Sequence, residues 1–197
     1  IMQVFKHSVL LLLAVIVLPL SAEERRHHDA HEHGAGKLDI AREGTELHIG
    51  LDSPAANIVG FEHAPASAAD HQALKKALAR LKDGAGLFRL PDAAGCRLVD
   101  ADITTPLQDH DEPPHREAGE HAGEHHAHED SHEHGGETHA DITAAWHFSC
   151  AHPEKLDKVI VKLFEVFPMT ERLQVQYITG KQQGAAVLSA SQPAVRF

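Results

Sequence analysis

Two short stretches near the start of the chain alternate between apolar and polar residues. Their apolar positions are Leu38, Ile40, Leu47, Ile49 and Leu51, with the polar residues 42–45 between the two stretches. A period of two places successive side chains on opposite faces of a strand, so the pattern predicts a strand, a turn and a second strand. Similar patterns predict strands at residues 96–103, 142–150 and 173–177, with shorter candidates at 87–90 and 185–189.

Two further stretches repeat their apolar residues at helical spacing. Residues 67–82 carry one apolar stripe, and Gly84 follows as a stop signal. Residues 153–167 carry a longer stripe that begins with Pro153, a residue favoured in the first turn of a helix. We therefore expect two main helices, one in each half of the chain.

Residues 1–22 have the pattern of a secretory signal peptide. A basic start precedes an apolar run over residues 9–18, and Ala22 supplies the small residue of a cleavage site. A run of roughly ten apolar residues is too short to span a bilayer, which takes about 20. We expect export and cleavage, with no membrane insertion afterwards.

Histidine is the abnormal component of the composition, with 19 of 197 residues. Some lie in an arm at residues 23–34, and many more lie with acidic residues in an insertion at residues 109–138. The insertion lacks every large apolar residue type, so it cannot bury enough surface to offset the entropy of ordering. We predict that it is disordered and separates two folded blocks, residues 35–108 and 139–197.

Each block contains strands, a helix and further strands, and neither has much apolar surface of its own. We predict a single α+β domain of two similar strand–helix–strand halves, with an antiparallel or mixed sheet and two main helices. In an exported protein, Cys96 and Cys150 are expected to form a disulfide that links these halves. Two alternatives stay open: two separate small domains, and metal ligation by the thiolate of Cys150 with His152.

The charge and the histidines together indicate the chemistry. A formal net charge of −11 disfavours nucleic acid and favours cationic partners. Neutral imidazole is a common ligand of Zn²⁺ and also suits Ni²⁺, Cu²⁺ and Co²⁺. We expect a metal-binding protein, not an enzyme, and a shared pocket for the arm and the insertion's exit if their strand ends adjoin. The candidate ligands are His31, His33, His63, His121, His125, His126, His128, His132, His134 and His139.

The histidine-rich insertion also matches an enzyme motif. Residues 128–132 fit H-E-x-x-H, the helix motif of zinc metallopeptidases. That segment has no apolar stripe and is followed by two glycines, so a chance match in a His-rich stretch is favoured. A pH switch through protonation, a merely solvated loop, and nickel or copper(II) storage also stay open as roles for the histidines.

Four short segments carry a resemblance to a known family. They are residues 31–34 (HEHG), 53–65 (SPAANIVGFEHAP), 94–96 (AGC) and 146–150 (WHFSC). Over essentially the whole mature chain, the sequence resembles the ZrgA-type periplasmic zinc proteins of Gram-negative bacteria. The resemblance implies capture of Zn²⁺ in the periplasm and assistance to a zinc ABC importer, whose periplasmic component would be the partner. It also implies ligands in the arm, the insertion and its exit. One departure is Trp146, where tyrosine is expected.

Overall fold

The computed structural model describes residues 32–108, 139–180 and 182–197. The predicted signal peptide, the arm up to His31 and the insertion lie outside these ranges, so the states predicted for them stay predictions. Within the described ranges, no helix is both long enough and apolar enough to cross a membrane.

The described elements are mostly strands, joined by short helices and turns. In chain order they are β1 (Ala35–Glu43), β2 (Glu46–Pro54), α1 (Ala55–Val59), α2 (Ala68–Lys82), α3 (Gly84–Leu87), β3 (Phe88–Arg89), β4 (Cys96–Thr104), β5 (Asp141–Cys150), β6 (Lys158–Val161), α4 (Leu163–Val166), β7 (Arg172–Ile178), β8 (Gln183–Ser189) and β9 (Ala194–Arg196). Single 3-10 turns occur at Asp92–Ala94, Pro106–Gln108 and Pro153–Lys155.

The main sheet has six strands in the order β4-β5-β2-β1-β7-β8. Strands β1 and β7 run parallel, and the remaining neighbouring pairs run antiparallel. The predicted α+β class and mixed sheet are therefore confirmed. Because β5 lies between β4 and β2, strands from both sequence blocks share one sheet and one core.

Apolar and polar residues alternate along the strands, so one face of this sheet carries the buried apolar side chains. Leu38, Leu47 and Trp146 are at most 1% exposed and face the core, whereas their sequence neighbours face the opposite side. The helix α2 contributes Leu74, Ala77 and Leu81 to the same core. The Trp146 indole donates a 2.7 Å hydrogen bond to the Leu81 carbonyl and so joins the end of α2 to β5.

The predicted first helix and the predicted disulfide are confirmed. Ser67 caps α2 and forms a capping box with Asp70, in which each side chain accepts a hydrogen bond from the backbone of its partner. Cys96 and Cys150 form a disulfide between directly paired positions of β4 and β5. This pairing excludes thiolate ligation by Cys150 in the oxidised protein.

The prediction of a second long helix at residues 153–167 is wrong. A 3-10 turn, the strand β6 and the four-residue helix α4 occupy that stretch. Val159 and Val161 are buried with a period of two, and β6 pairs with β3 and β9 in a second, three-stranded sheet. The consecutive β-branched residues 159–161 favour a strand. Pairing of β6 with the distant strands β3 and β9 outweighs the helical spacing of apolar residues in this stretch.

Candidate metal centre

A tight turn holds the end of the arm against the start of β1. Gly34 adopts a positive φ of 82°, and the Ala35 amide donates a 3.0 Å hydrogen bond back to the Glu32 carbonyl. The buried side chain of Asn57 accepts from the Gly34 amide at 2.7 Å and donates to the Ala35 carbonyl at 2.9 Å. These bonds fix the backbone on which His33 is carried.

The loop after α1 carries the acidic residue of the centre. Gly60 ends α1 in the left-handed conformation, with a φ of 93° that favours glycine. This reversal starts the loop that contains Phe61, Glu62 and His63. Glu62 is only 13% exposed, so its carboxylate is held in place while it still reaches the surface.

The exit of the insertion is tied to the same region. The Ala55 amide at the start of α1 donates a 2.8 Å hydrogen bond to the Ala140 carbonyl. Ala140 is 5% exposed and directly precedes β5. His139, the first described residue after the insertion, is thereby placed beside the loop that follows α1.

The carboxylate of Glu62 contacts two histidines that are distant in the sequence. Its Oε1 lies 3.2 Å from His33 Nε2, and its Oε2 lies 2.6 Å from His139 Nδ1. The two imidazoles are largely exposed, at 68% and 43%. We call His33, Glu62 and His139 the Glu62 cluster. It joins the end of the arm to the exit of the insertion through one carboxylate.

The electrostatics of the cluster keep Glu62 ionised. Burial raises its pKa, but the hydrogen bond from His139 and the charges of protonated His33 and His139 together outweigh that effect. The net pKa of Glu62 lies below its ordinary value of 4.5. At neutral pH the group is a carboxylate that accepts hydrogen bonds from both rings. A metal cation could replace the ring protons in these hydrogen bonds.

The side chains of the Glu62 cluster are of the types that bind zinc. Two imidazoles and a carboxylate are ordinary Zn²⁺ ligands, and ligand atoms about 2.0–2.2 Å from a tetrahedral ion lie about 3.3–3.6 Å from one another. The 3.2 Å contact between His33 and Glu62 is close to that spacing, whereas the 2.6 Å contact of His139 would have to lengthen. Across the described ranges, no three His, Cys, Asp or Glu side chains already surround a common point. The exposed histidines would therefore have to rotate toward the fixed carboxylate.

The remaining candidate ligands lie elsewhere or outside the described residues. His63 stacks on Phe61 with a centroid distance of 4.9 Å, and its Nδ1 lies 2.9 Å from the Ala64 carbonyl. Its ring therefore contacts its own loop. The candidates outside the described residues are His31, His121, His125, His126, His128, His132 and His134, together with the peptidase-like segment at 128–132.

Sequence reasoning missed Glu62 and Asn57. Glu62 stands directly before His63, and a single glutamate in a polar loop gives no sign in the sequence that it contacts two distant histidines. Asn57 lies in an apolar stretch where a buried amide indicates a structural hydrogen-bonding role. The polar residues of the 53–65 segment were the only sequence feature that pointed to these two roles. Their partners could not be identified because they lie in distant parts of the chain.

Comparison with known proteins agrees with this chemistry. The sequence model of a family described as "ZrgA family zinc uptake protein" matches residues 30–197. A search of curated proteins finds no match.

Proposed function

This chain belongs to the ZrgA family of zinc uptake proteins, and from that premise we propose that it captures Zn²⁺ in the periplasm for delivery to an importer. The observation that carries the proposal is the Glu62 cluster, in which one fixed carboxylate contacts His33 and His139. Periplasmic location is supported by the leader-like pattern of residues 1–22.

The proposal assigns two roles to the histidines. His31 in the arm, His63 and the insertion's candidate ligands collect ions with fast exchange. His33, Glu62 and His139 then bind Zn²⁺ in place of the protons that they share in the metal-free arrangement. The ion is cargo, so the protein acts as a binding protein and not as an enzyme.

Two His-rich segments meet at the Glu62 carboxylate, and this arrangement supports separate roles in collecting and binding the ion. His33 lies at the end of the arm, and His139 directly follows the insertion, so an ion held by either segment is tethered next to Glu62. A short tether raises the effective concentration of the ion at its next ligand set. Delivery to the periplasmic component of a zinc ABC importer is the step that we propose next.

The test is a zinc titration of the full mature chain against a competing chelator. Glu62→Gln, His33→Ala and His139→Ala are compared with His152→Ala and Glu154→Gln, since His152 and Glu154 form an exposed pair 3.8 Å apart. We expect the tightest binding step to weaken about tenfold or more in the first three variants, because each loses a ligand. The two control variants should keep the wild-type value.

Two results would overturn the proposal. One is a tightest binding step that is unchanged in all three variants of the Glu62 cluster. The second is an apparent zinc affinity that is the same at pH 5 and pH 7.5, because protons compete with metal for imidazole around pH 6.5.

A further inference from the structure

A second pair of histidines lies on the face of the main sheet opposite the core. His48 on β2 and His147 on β5 are direct cross-strand partners. Their rings stack with a centroid distance of 4.5 Å and an interplanar angle of 6°. Alternation along β2 and β5 puts both residues on the side opposite the core, and the β2–β5 register makes them neighbours.

A carboxylate orients one ring of this pair. The Glu46 Oε2 atom lies 2.5 Å from His147 Nε2, while its Oε1 accepts a 2.7 Å hydrogen bond from the Thr45 hydroxyl. An ionised carboxylate can only accept, so Nε2 of His147 carries the proton and Nδ1 keeps the lone pair of the neutral ring. Histidine ligands of metals are commonly held by such a carboxylate.

A β-bulge adds an acidic side chain beside the pair. The register of β4 against β5 shifts between Leu98 and Asp100, so Asp100 and not Val99 stands opposite His147. Bulges re-aim side chains in this way and are common next to functional sites. Asp100, His147 and His48 therefore follow one another across three adjacent strands.

The next row of the sheet forms a shallow acidic hollow. Small residues at Gly50 and Ala145 lie on its floor, and Asp39 and Asp102 lie at the two ends of the same row. The cavity measures about 420 Å³ and also includes His48, His147 and Asp100 in its lining. Among the described residues, this lining includes no lysine or arginine. The hollow therefore attracts cations and has room for an ion that keeps some of its water.

We propose that His48 and His147 bind a divalent transition-metal ion in this hollow, with water as the remaining ligands. Because lone pairs of imidazole lie in the ring plane, the two stacked rings would have to turn until one nitrogen of each faces the same ion. We call His48, His147 and Glu46 the open-face site. Imidazole selects ions of the zinc class over Mg²⁺, which prefers oxygen ligands. Two protein ligands hold an ion more weakly than three or four, so this site exchanges its ion faster than a closed structural site.

The open-face site is separate from the Glu62 cluster. His48 pairs with Ala41, and the six residue steps from Ala35 to Ala41 span about 20 Å of extended strand. The Glu62 cluster lies beyond the Ala35 end of β1. The inference rests on the proposed function only for the identity of the ion as Zn²⁺.

The experiment follows backbone amide shifts of the isotope-labelled full mature chain during titration with Zn²⁺. The Gly50 and Ala145 amides report the hollow, and the Glu62 amide reports the Glu62 cluster in the same spectra. We expect the hollow amides to shift at higher zinc than the Glu62 amide. His48→Ala or His147→Ala should raise the half-saturating concentration at the hollow about tenfold or more, since half of the protein ligands are lost. His152→Ala, which removes an exposed histidine elsewhere, should not change it.

Three outcomes overturn the open-face site. The first is no shift at Gly50 and Ala145 up to millimolar zinc. The second is an unchanged titration in both histidine variants. The third is the same shifts at the same concentration of Mg²⁺, which would mean that the hollow attracts any divalent cation through its charge alone. Shifts at the hollow without any at Glu62 would instead contradict the Glu62 cluster alone.

Discussion

At the scale of single residues, one buried amide organises the described part of the arm. Asn57 is 2% exposed and bonds the Gly34 amide, the Ala35 carbonyl and the Ser53 hydroxyl. It thereby satisfies backbone groups at the one point where the chain enters β1 from the His-rich arm. These bonds fix the backbone that carries His33 beside Glu62.

We expect Asn57→Ala to lower the free energy of unfolding by about 2–4 kcal/mol, because it leaves the Gly34 amide and the Ala35 carbonyl without partners. Urea denaturation at neutral pH measures this change. Ser53→Ala is the matched control, since it removes the hydroxyl's two hydrogen bonds, to Asn57 and to the Pro54 carbonyl, but keeps both backbone bonds of Asn57, and it should cost about 1 kcal/mol. A loss below about 0.5 kcal/mol for Asn57→Ala would contradict the anchoring role.

At the scale of the element, α2 illustrates how local sequence fixes structure. Its apolar stripe, its Ser67 cap and its end before Gly84 can all be read from consecutive residues, because helical bonds join positions four apart. The opposite holds for β6, where the helical spacing of residues 153–167 was misleading. A strand bonds to partners that are distant in sequence, and here they are Phe88–Arg89 and Ala194–Arg196.

The capping box predicts a pH dependence. Backbone amides of Ser67 and Ala66 donate to the Asp70 carboxylate and hold its pKa below the ordinary 3.8. A lowered pKa means that the ionised group stabilises the folded state above pH 3.8, and that this contribution is lost as the pH falls below it.

We therefore expect Asp70→Asn to be less stable than wild type at pH 7, with the difference shrinking as the pH falls below about 3.8. Urea midpoints at pH 7, 4.5 and 2.5 measure it. Gln72→Ala, an exposed uncharged position in α2, serves as the control with a pH-independent effect. A constant difference between wild type and Asp70→Asn across this range would rule out the capping carboxylate.

At the scale of the whole molecule, the disulfide and the sheet keep the two sequence blocks together. Cys96 and Cys150 are 54 residues apart in sequence, and the insertion lies within the loop that they close. The β4–β5 pairing starts at these cysteines and continues to Thr104 and Thr143, near the two ends of the insertion. The segment of sequence that includes the insertion therefore starts and ends next to paired residues of β4 and β5.

Reduction of the disulfide should lower the free energy of unfolding by about 4 kcal/mol on the chain-entropy account for a loop of this length. Denaturant midpoints with and without reductant measure it, and Cys96→Ser with Cys150→Ser checks for effects of the reductant. Deleting residues 109–138 should reduce the contribution of the disulfide by about 0.7 kcal/mol, because the closed loop is shorter. An increase on deletion would contradict this account.

The sequence by itself determined the local periods and the chemistry. It located β1, β2, α2 and β5, it paired the cysteines, and it identified imidazole as the abundant functional group. These features follow from residue type and short-range spacing, which need no knowledge of the rest of the chain.

Only the tertiary structure decided which polar side chains meet. Glu62 contacts histidines from two distant segments, and His48 stacks on His147 because of a particular strand register. Shifting that register by one residue would move every side chain of the strand to the opposite face. The burial of the whole core selects the register, so sites built across strands depend on the folded chain and not on any one segment.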